Sequence, residues 1–186
     1  MSDLIFFVLA FLAGFLVKVV DWMDDEKKKP SWFKLPLGFA YGILIGYIIS
    51  TASFGLLFLG ALLAQVLARK IDTISHRFGF LVAILSLLYF GFPGIEPIFL
   101  LYFMVLAFLD EEDYIGKWRL LAELRPFLKI GALTMVFFGR FDYFIGIILF
   151  DIGYTVFGTV SKSIKVKKEK IGYGGRARIR TKVSIQ

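Results

Sequence analysis

The sequence predicts an all-α, polytopic membrane protein with six or seven transmembrane helices and a basic C-terminal tail. The chain of 186 residues is 58% hydrophobic, whereas a soluble domain is normally about 45–50% apolar. Its mean hydropathy is +0.76, and the apolar residues fall into runs that carry almost no charge. Such runs are typical of bilayer-crossing helices, each of which needs roughly 20 apolar residues.

Seven apolar segments divide residues 1–160, which we interpret as one transmembrane domain. Their bounds are 4–20, 35–50, 54–68, 78–91, 97–109, 126–138 and 143–160. The first segment is not preceded by the basic region of a signal peptide, so we expect a retained anchor. Three of the later segments are short for a full span. The last two form either a hairpin through residues 139–142 or one long kinked helix, which gives seven or six spans.

The distribution of Lys and Arg predicts the topology. Nearly all of these residues lie in 21–34, 69–77, 110–125 and 161–186, whereas 50–54 and 91–97 contain none. Because basic connections favour the cytoplasm, the four charged regions are expected inside and the N-terminus outside. Seven spans satisfy this arrangement and six would place the tail outside, so we favour seven. The expected location is the cell membrane.

The tail, 161–186, differs from the membrane domain in charge and pattern. From Lys162 onward nine Lys and Arg accompany one acid, Glu169, so the net charge of +7 belongs to the tail. Alternating residues around Tyr173-Gly174-Gly175 predict a cytoplasmic β-hairpin or extended arm, and a disordered tail is an equal alternative. The expected partners are the bilayer and, at the tail, anionic lipid head groups. No nucleic-acid partner is expected, and a homo-oligomer is left open.

Residue usage excludes several chemistries. The chain has no cysteine, so disulfides, thiol nucleophiles and thiolate metal sites are ruled out. It contains no nucleophile elbow, Walker loop or zincin helix. The absence of asparagine and the scarcity of glutamine, beside abundant Lys, Glu and Arg, favour a thermophilic origin.

Carboxylates end three of the predicted helices on the cytoplasmic side. A carboxylate at a helix C-terminus is unfavourable by about 0.3–1 kcal/mol, so three such ends suggest a shared cation. Oxygen ligands without thiolates suit Mg²⁺ or Mn²⁺, and we predict a site for one of these ions. The candidate ligands are Asp21, Asp25, Asp72, His76, Asp110 and Asp113. The alternatives are that the acids neutralise basic loops in water and that His76 is a surface or capping residue.

Basic residues begin the even-numbered segments on the same side. Lys34, Arg77 and Arg125 precede or open the second, fourth and sixth segments. Helix N-termini with basic residues attract phosphate. Acids and bases together at one end of the bundle therefore predict a site for a metal-bound phosphate group.

Two charges lie within apolar runs. Lys18 is about one turn from the end of the first segment, and Asp151 is in the middle of the last. An ionisable group at such a depth costs roughly 2.5–3.5 kcal/mol, so it should face the bundle and have a partner. We predict that Lys18 and Asp151 pair with each other.

These features leave three hypotheses for the function. The first is a divalent-metal-dependent enzyme that acts on a phospholipid or polyprenyl phosphate at the cytoplasmic interface. The second is a small cation transporter or channel, which would need a continuous polar path across the bundle. The third is a structural or assembly subunit without catalysis. The sequence favours the enzyme slightly, because polar residues midway across the spans are few.

Overall fold

A computed structural model describes residues 2–25, 32–111 and 125–161, with the side chains from residue 4 to 24 in the first of these ranges. Helix is the regular secondary structure of these ranges, and they contain no strand. The helices are α1 (Ser2–Asp25), α2 (Lys34–Thr51), α3 (Gly55–Leu67), α4 (Ile74–Phe90), α5 (Pro97–Glu111), α6 (Pro126–Thr134) and α7 (Phe141–Ser161). Each predicted apolar segment forms one of them, which confirms the all-helical prediction. The predicted β-hairpin of the tail lies outside the described residues.

Three helices are long and apolar enough to cross a membrane. These are Leu4–Asp24 within α1, the whole of α2, and α7. α3, α4 and α6 with its 3₁₀ extension are apolar but shorter. The lengths are compatible with a membrane protein, and the count of six or seven spans stays a prediction.

α6 and α7 form a helical hairpin. A 3₁₀ helix, Met135–Phe138, follows α6, and Gly139 then adopts a left-handed conformation with φ +73°, which suits glycine because it lacks a Cβ. Lys129 Nζ of α6 lies 2.6 Å from Asp151 Oδ2 of α7, and the two residues are equally far from Arg140 along the chain. Of the two alternatives that the sequence left open, the structure has the hairpin and not one long kinked helix.

Small residues allow close approach at two helix interfaces. Gly38, Gly42 and Gly46 recur every fourth residue on α2 and face α4, so a Cβ at Gly42 or Gly46 would collide with α4 atoms. Gly14 of α1 and Gly153 of α7 each lie against the backbone of the other helix. Small residues at interfaces are typical of helices that associate in lipid, where packing replaces the hydrophobic effect as the driving force.

The two ends of the bundle differ in chemistry. At one end, the Asp24 carboxylate lies 2.6 Å from Lys34 Nζ and accepts a 2.8 Å hydrogen bond from the Thr73 hydroxyl. At the other end, the Arg140 guanidinium donates a 2.7 Å hydrogen bond to the Ser53 carbonyl. We call the first the charged end. The segments that meet at the charged end belong to the connections between helices that the predicted topology places together on the cytoplasmic side.

The interior away from the charged end is apolar. Its large buried side chains include Phe54, Leu57, Phe103 and Ile147. Within the described ranges the buried polar or charged side chains, tyrosines aside, are Ser75, Ser86, Asp110 and Ser161. Of these four, only Ser86 lies away from the helix ends that form the charged end. A mostly apolar layer thus separates the two ends, with Ser86 and the partly exposed Lys129–Asp151 pair within it.

We predict that the charged end faces the cytoplasm. The native chain lacks cysteine, so a single introduced thiol reports on its own position. Ser53→Cys should react with a membrane-impermeant maleimide added to spheroplasts, and Lys167→Cys should react only after permeabilisation. The reverse pattern of labelling would contradict this orientation.

Candidate functional site

A cavity of about 200 Å³ lies between the helices at the charged end, and we call it the polar pocket. Six helices and two flanking positions contribute polar side chains to it. These are Asp21, Tyr41, Gln65, Lys70, His76, Glu111, Arg125 and Tyr154. The apolar part of the lining includes Val17, Ile45, Leu62 and Phe80. The pocket therefore combines acids, bases and phenols above an apolar core.

Asp21 and His76 bond to each other in the pocket. Asp21 Oδ1 of α1 lies 2.9 Å from His76 Nε2 of α4, and each side chain is less than one quarter exposed. His76 belongs to the first turn of α4, where its backbone N–H donates a 3.3 Å hydrogen bond to the Thr73 hydroxyl that caps the helix. Such a cap satisfies a free N–H of the first turn. Helix capping and the carboxylate together hold the imidazole in place.

Hydrogen bonds extend from this pair across four helices. The Tyr154 hydroxyl donates to Asp21 Oδ2 at 2.7 Å and accepts from Lys18 Nζ at 3.0 Å. On the other side, the Tyr41 hydroxyl lies 3.3 Å from His76 Nδ1. Both carboxylate oxygens and both ring nitrogens are thus engaged. This arrangement fixes the ring orientation and provides groups between which a proton can move.

Arg125 supplies a cation to the pocket. Its backbone is left-handed, with φ 45°, which costs a non-glycine residue about 1–2 kcal/mol. The guanidinium carbon lies 5.5 Å from the ring centre of Phe150 and 5.6 Å from that of Tyr154. Burial alone would lower the pKa of Arg125, but the carboxylates of Asp151 and Glu111 outweigh it and raise the pKa above its ordinary value. Arg125 is therefore a permanent cation.

The predicted metal ligands converge only in part. Asp21 and His76 meet in the polar pocket, but they bond to each other, and Asp72 is exposed. Asp113 and the side chain of Asp25 lie outside the described residues. In the parts of the chain that are described, no group of three or more His, Asp or Glu side chains is arranged to hold a metal ion.

Asp110 has a structural role that its position in the sequence did not indicate. Its carboxylate accepts backbone hydrogen bonds from Phe127 at 3.0 Å and Leu128 at 2.7 Å. An acid at a helix N-terminus is favourable because it complements the helix dipole and free N–H groups. Asp110 of α5 thus caps α6, and its neighbour Glu111 lines the pocket instead.

Of the three predicted phosphate ligands, Arg125 is the one that lines the polar pocket. Lys34 lies 2.6 Å from the Asp24 carboxylate. Arg77 is exposed, and its Nε donates to the Ile71 carbonyl at 3.4 Å. Lys34 and Arg77 therefore contribute to the local structure of the charged end.

The predicted pairing of Lys18 with Asp151 is wrong. Asp151 pairs with Lys129 across the α6–α7 hairpin at 2.6 Å. Lys18 bonds to the Tyr154 hydroxyl, with its Nζ 4.3 Å from the ring centre. Lys18 and Asp151 do not pair because they lie at different levels along the bundle. Asp151 is at the middle of α7, whereas Lys18 contacts α7 almost one turn closer to the charged end.

Sequence reasoning missed the two tyrosines that complete the hydrogen-bond network. Tyr41 directly precedes Gly42, and Tyr154 directly follows Gly153. Both glycines lie at close helix contacts. A tyrosine beside a glycine of a packing stripe is a signal that would have placed these hydroxyls inside the bundle.

The fold and the pocket together define a bundle of apolar helices with an ionisable pocket at one end. No family model, no curated protein and no solved structure matches this chain. Its function is therefore inferred from the chemistry of the pocket.

Proposed function

We propose that the protein is an integral membrane enzyme that acts at the cytoplasmic interface on a phospholipid or a polyprenyl phosphate. The observation that supports this most is the presence of Arg125 and the Asp21–His76 pair in one pocket. Cleavage of a phosphate ester needs a cation for the phosphoryl oxygens and a group that transfers a proton. Arg125 is the cation, and His76 is the group that transfers a proton.

Each residue has a defined role in the proposed reaction. The planar guanidinium of Arg125 binds two phosphoryl oxygens and stabilises the charge that develops on them. In its neutral form His76, held by Asp21 at Nε2, takes a proton at Nδ1, the nitrogen next to the Tyr41 hydroxyl, from water or an alcohol as that oxygen forms a bond to phosphorus. The bond from phosphorus to the leaving oxygen breaks, and the proton is then available to that oxygen. Asp21 compensates the positive charge of the imidazolium.

The membrane location of the reaction is supported by the outer surface. Leu81, Leu85 and Leu88 of α4 are each more than half exposed, as expected for side chains that contact lipid. The polar pocket lies at the end of the same bundle, where we expect the lipid head groups. A lipid phosphate can therefore meet Arg125 while its hydrocarbon chain stays in the bilayer.

The transporter hypothesis has less support. A polar path would need acids such as Asp142 and Asp151 to be available to the transported ion, but they lie against Arg140 and Lys129 respectively. Among the residues described, Ser86 is the buried polar side chain within the apolar layer. The hypothesis of a structural subunit predicts neither ligand binding nor turnover by the pocket.

A divalent cofactor, Mg²⁺ or Mn²⁺, is part of the proposal. Asp21 and Glu111 are the carboxylates that line the pocket in the described ranges. At a hundredfold excess over Kd, the ion should raise the melting midpoint by roughly 5–10 °C, because it binds the folded state. The Asp21→Asn variant should not show this rise in the melting midpoint. Equal midpoints with and without Mn²⁺ would remove the metal from the proposal.

Arg125→Gln tests the function directly. We expect kcat/KM for the lipid phosphate to fall about 10–100-fold, since a hydrogen bond to a charged group is worth roughly 1.5–3 kcal/mol. The assay measures phosphate and product release from phosphatidate and polyprenyl phosphates by the protein in nanodiscs. Arg77→Gln, which removes an exposed arginine at the same end, is the matched control. A folded wild-type protein without turnover of any such lipid would favour the structural subunit.

A further inference from the structure

We infer that the protein forms a homodimer through the outer face of α6 and α7, with a two-fold axis parallel to the membrane normal. The inference is independent of catalysis, because this face lies on the outside of the bundle. Three features carry it: an ion pair that is open on one side, the residue types around this pair, and the charge of the neighbouring segments of the chain.

The Lys129–Asp151 pair is not enclosed by the bundle. Both side chains line an open groove on the outside of α6 and α7, and they are 21% and 15% exposed. The pair lies at the middle of α7. An ionisable group at this depth of a membrane span is costly unless it faces protein or water. Contact with lipid on this side is therefore unfavourable, and protein is the better neighbour.

The uncharged residues that line the groove in the described ranges are all β-branched. They are Ile148, Ile152, Thr155, Val156, Thr159 and Val160. Side chains of this kind are restricted at χ1, so they lose little rotamer freedom when another helix packs on them. Their spacing of three and four residues places them on one face of α7. The outer face of α4 presents the flexible Leu81, Leu85 and Leu88 instead, which suit contact with lipid.

The ion pair makes this surface complementary to itself. In a two-fold dimer the same patch lies on both subunits, so each residue meets its counterpart in exchange. A cation beside an anion satisfies this condition, because Lys129 of each copy then lies against the partner's Asp151. Thr155, exposed on the same face, adds a hydroxyl of the kind that forms hydrogen bonds between helices in lipid.

The neighbouring segments of the chain are poorly matched to this surface. Residues 112–124 precede α6 and residues 162–186 follow α7, and charged residues are frequent in both. Charged side chains are unfavourable at the depth of Asp151. A second copy offers the same apolar and charge-paired surface, and it is therefore the occupant that we assign.

Disulfide formation in native membranes tests the interface, because the chain has no cysteine of its own. The variants are Ile148→Cys, Ile152→Cys and Thr155→Cys, oxidised mildly in membranes of the producing cells, where all copies have one orientation. A disulfide needs Cβ atoms about 3.5–4.5 Å apart, so one or two of these positions should give a dimer. Leu81→Cys and Leu85→Cys, on the outer face of α4, are the matched controls and should stay monomeric.

A charge-free variant tests the self-complementary pair. Lys129→Gln combined with Asp151→Asn removes both charges, so no uncompensated charge remains in the monomer. Energy transfer between copies labelled through Lys167→Cys, measured in liposomes against the protein-to-lipid ratio, gives the dissociation constant of the dimer. We expect this constant to rise about tenfold, since close charge pairs across an interface are coupled. Arg140→Gln combined with Asp142→Asn removes the pair at the opposite end and should leave the constant unchanged.

Three results would overturn the inference. Dimeric product at none of the α7 positions would show that lipid or another part of the chain covers the groove. Equal product at the α4 positions would show collision without a defined interface. A dissociation constant that is the same with and without the two charges would exclude an interface built on this pair. None of these measurements uses turnover, so they decide the inference whether or not the protein cleaves a lipid phosphate.

Discussion

Replacing His76 by glutamine is expected to lower the turnover number about 10²–10⁴-fold, the usual contribution of a general acid–base group. Glutamine can still donate a hydrogen bond to Asp21, which lies 2.9 Å from the imidazole, so the fold should be retained. It cannot exchange a proton near neutral pH. The measurement is kcat at saturating lipid phosphate, together with the melting midpoint of the variant.

Two further variants separate catalysis from structure. Arg77→Gln changes the adjacent residue of α4, whose side chain is exposed, and should leave kcat unchanged. Tyr154→Phe removes the 2.7 Å hydrogen bond to Asp21 and should reduce kcat less than His76→Gln does. A His76→Gln enzyme that retains more than about a tenth of the wild-type rate would contradict the assignment of proton transfer to His76.

The second large effect is expected at Asp151. Asp151→Leu leaves the Lys129 ammonium, 2.6 Å away in the wild type, without its partner at the middle of α7. The Lys129 and Asp151 side chains are 21% and 15% exposed, and breaking a fully buried ion pair from one side costs roughly 3–5 kcal/mol, so we expect a loss toward the lower end of this range. Changing both residues, to Leu and Met, should recover much of the free energy of unfolding, because no uncompensated charge remains.

A double-mutant cycle in mixed detergent micelles measures this coupling. Lys18→Met is the matched control, since Lys18 bonds to Tyr154 and should show no coupling with Asp151. If the losses in the free energy of unfolding from Asp151→Leu and Lys129→Met add up in the double variant, the two residues do not interact and the pair is contradicted. Coupling of Asp151 with Lys18 instead would restore the pairing that the sequence first suggested.

The helices were predictable from the sequence because each apolar run is bounded by charged residues, by Gly and Pro or, at residues 50–54, by Ser and Thr. The observed ends differ from the predicted ones by a few residues, as at α4, which begins at Ile74 where the apolar run was taken to begin at residue 78. Helix boundaries depend on caps such as Thr73 that hydropathy does not detect. The sequence did not decide between a hairpin and one kinked helix for α6 and α7, because Gly139 permits either a turn or a kink.

The site was predictable as a region but not as a set of contacts. The charged helix ends do meet, and Asp21, His76 and Arg125 line one pocket. Spacing along one helix cannot tell which helices are neighbours, so it did not indicate that Asp110 caps α6. The same limit produced the wrong partner for Asp151 and concealed the role of Tyr154.

The most direct test of the central claim uses the single histidine of the chain. Selective ¹⁵N labelling of histidine gives ring signals from His76 alone. If the polar pocket binds the lipid phosphate, farnesyl diphosphate should shift these signals saturably in the wild type and in Arg77→Gln, and should not shift them in Arg125→Gln. Ring signals that stay unchanged at saturating farnesyl diphosphate would contradict the account.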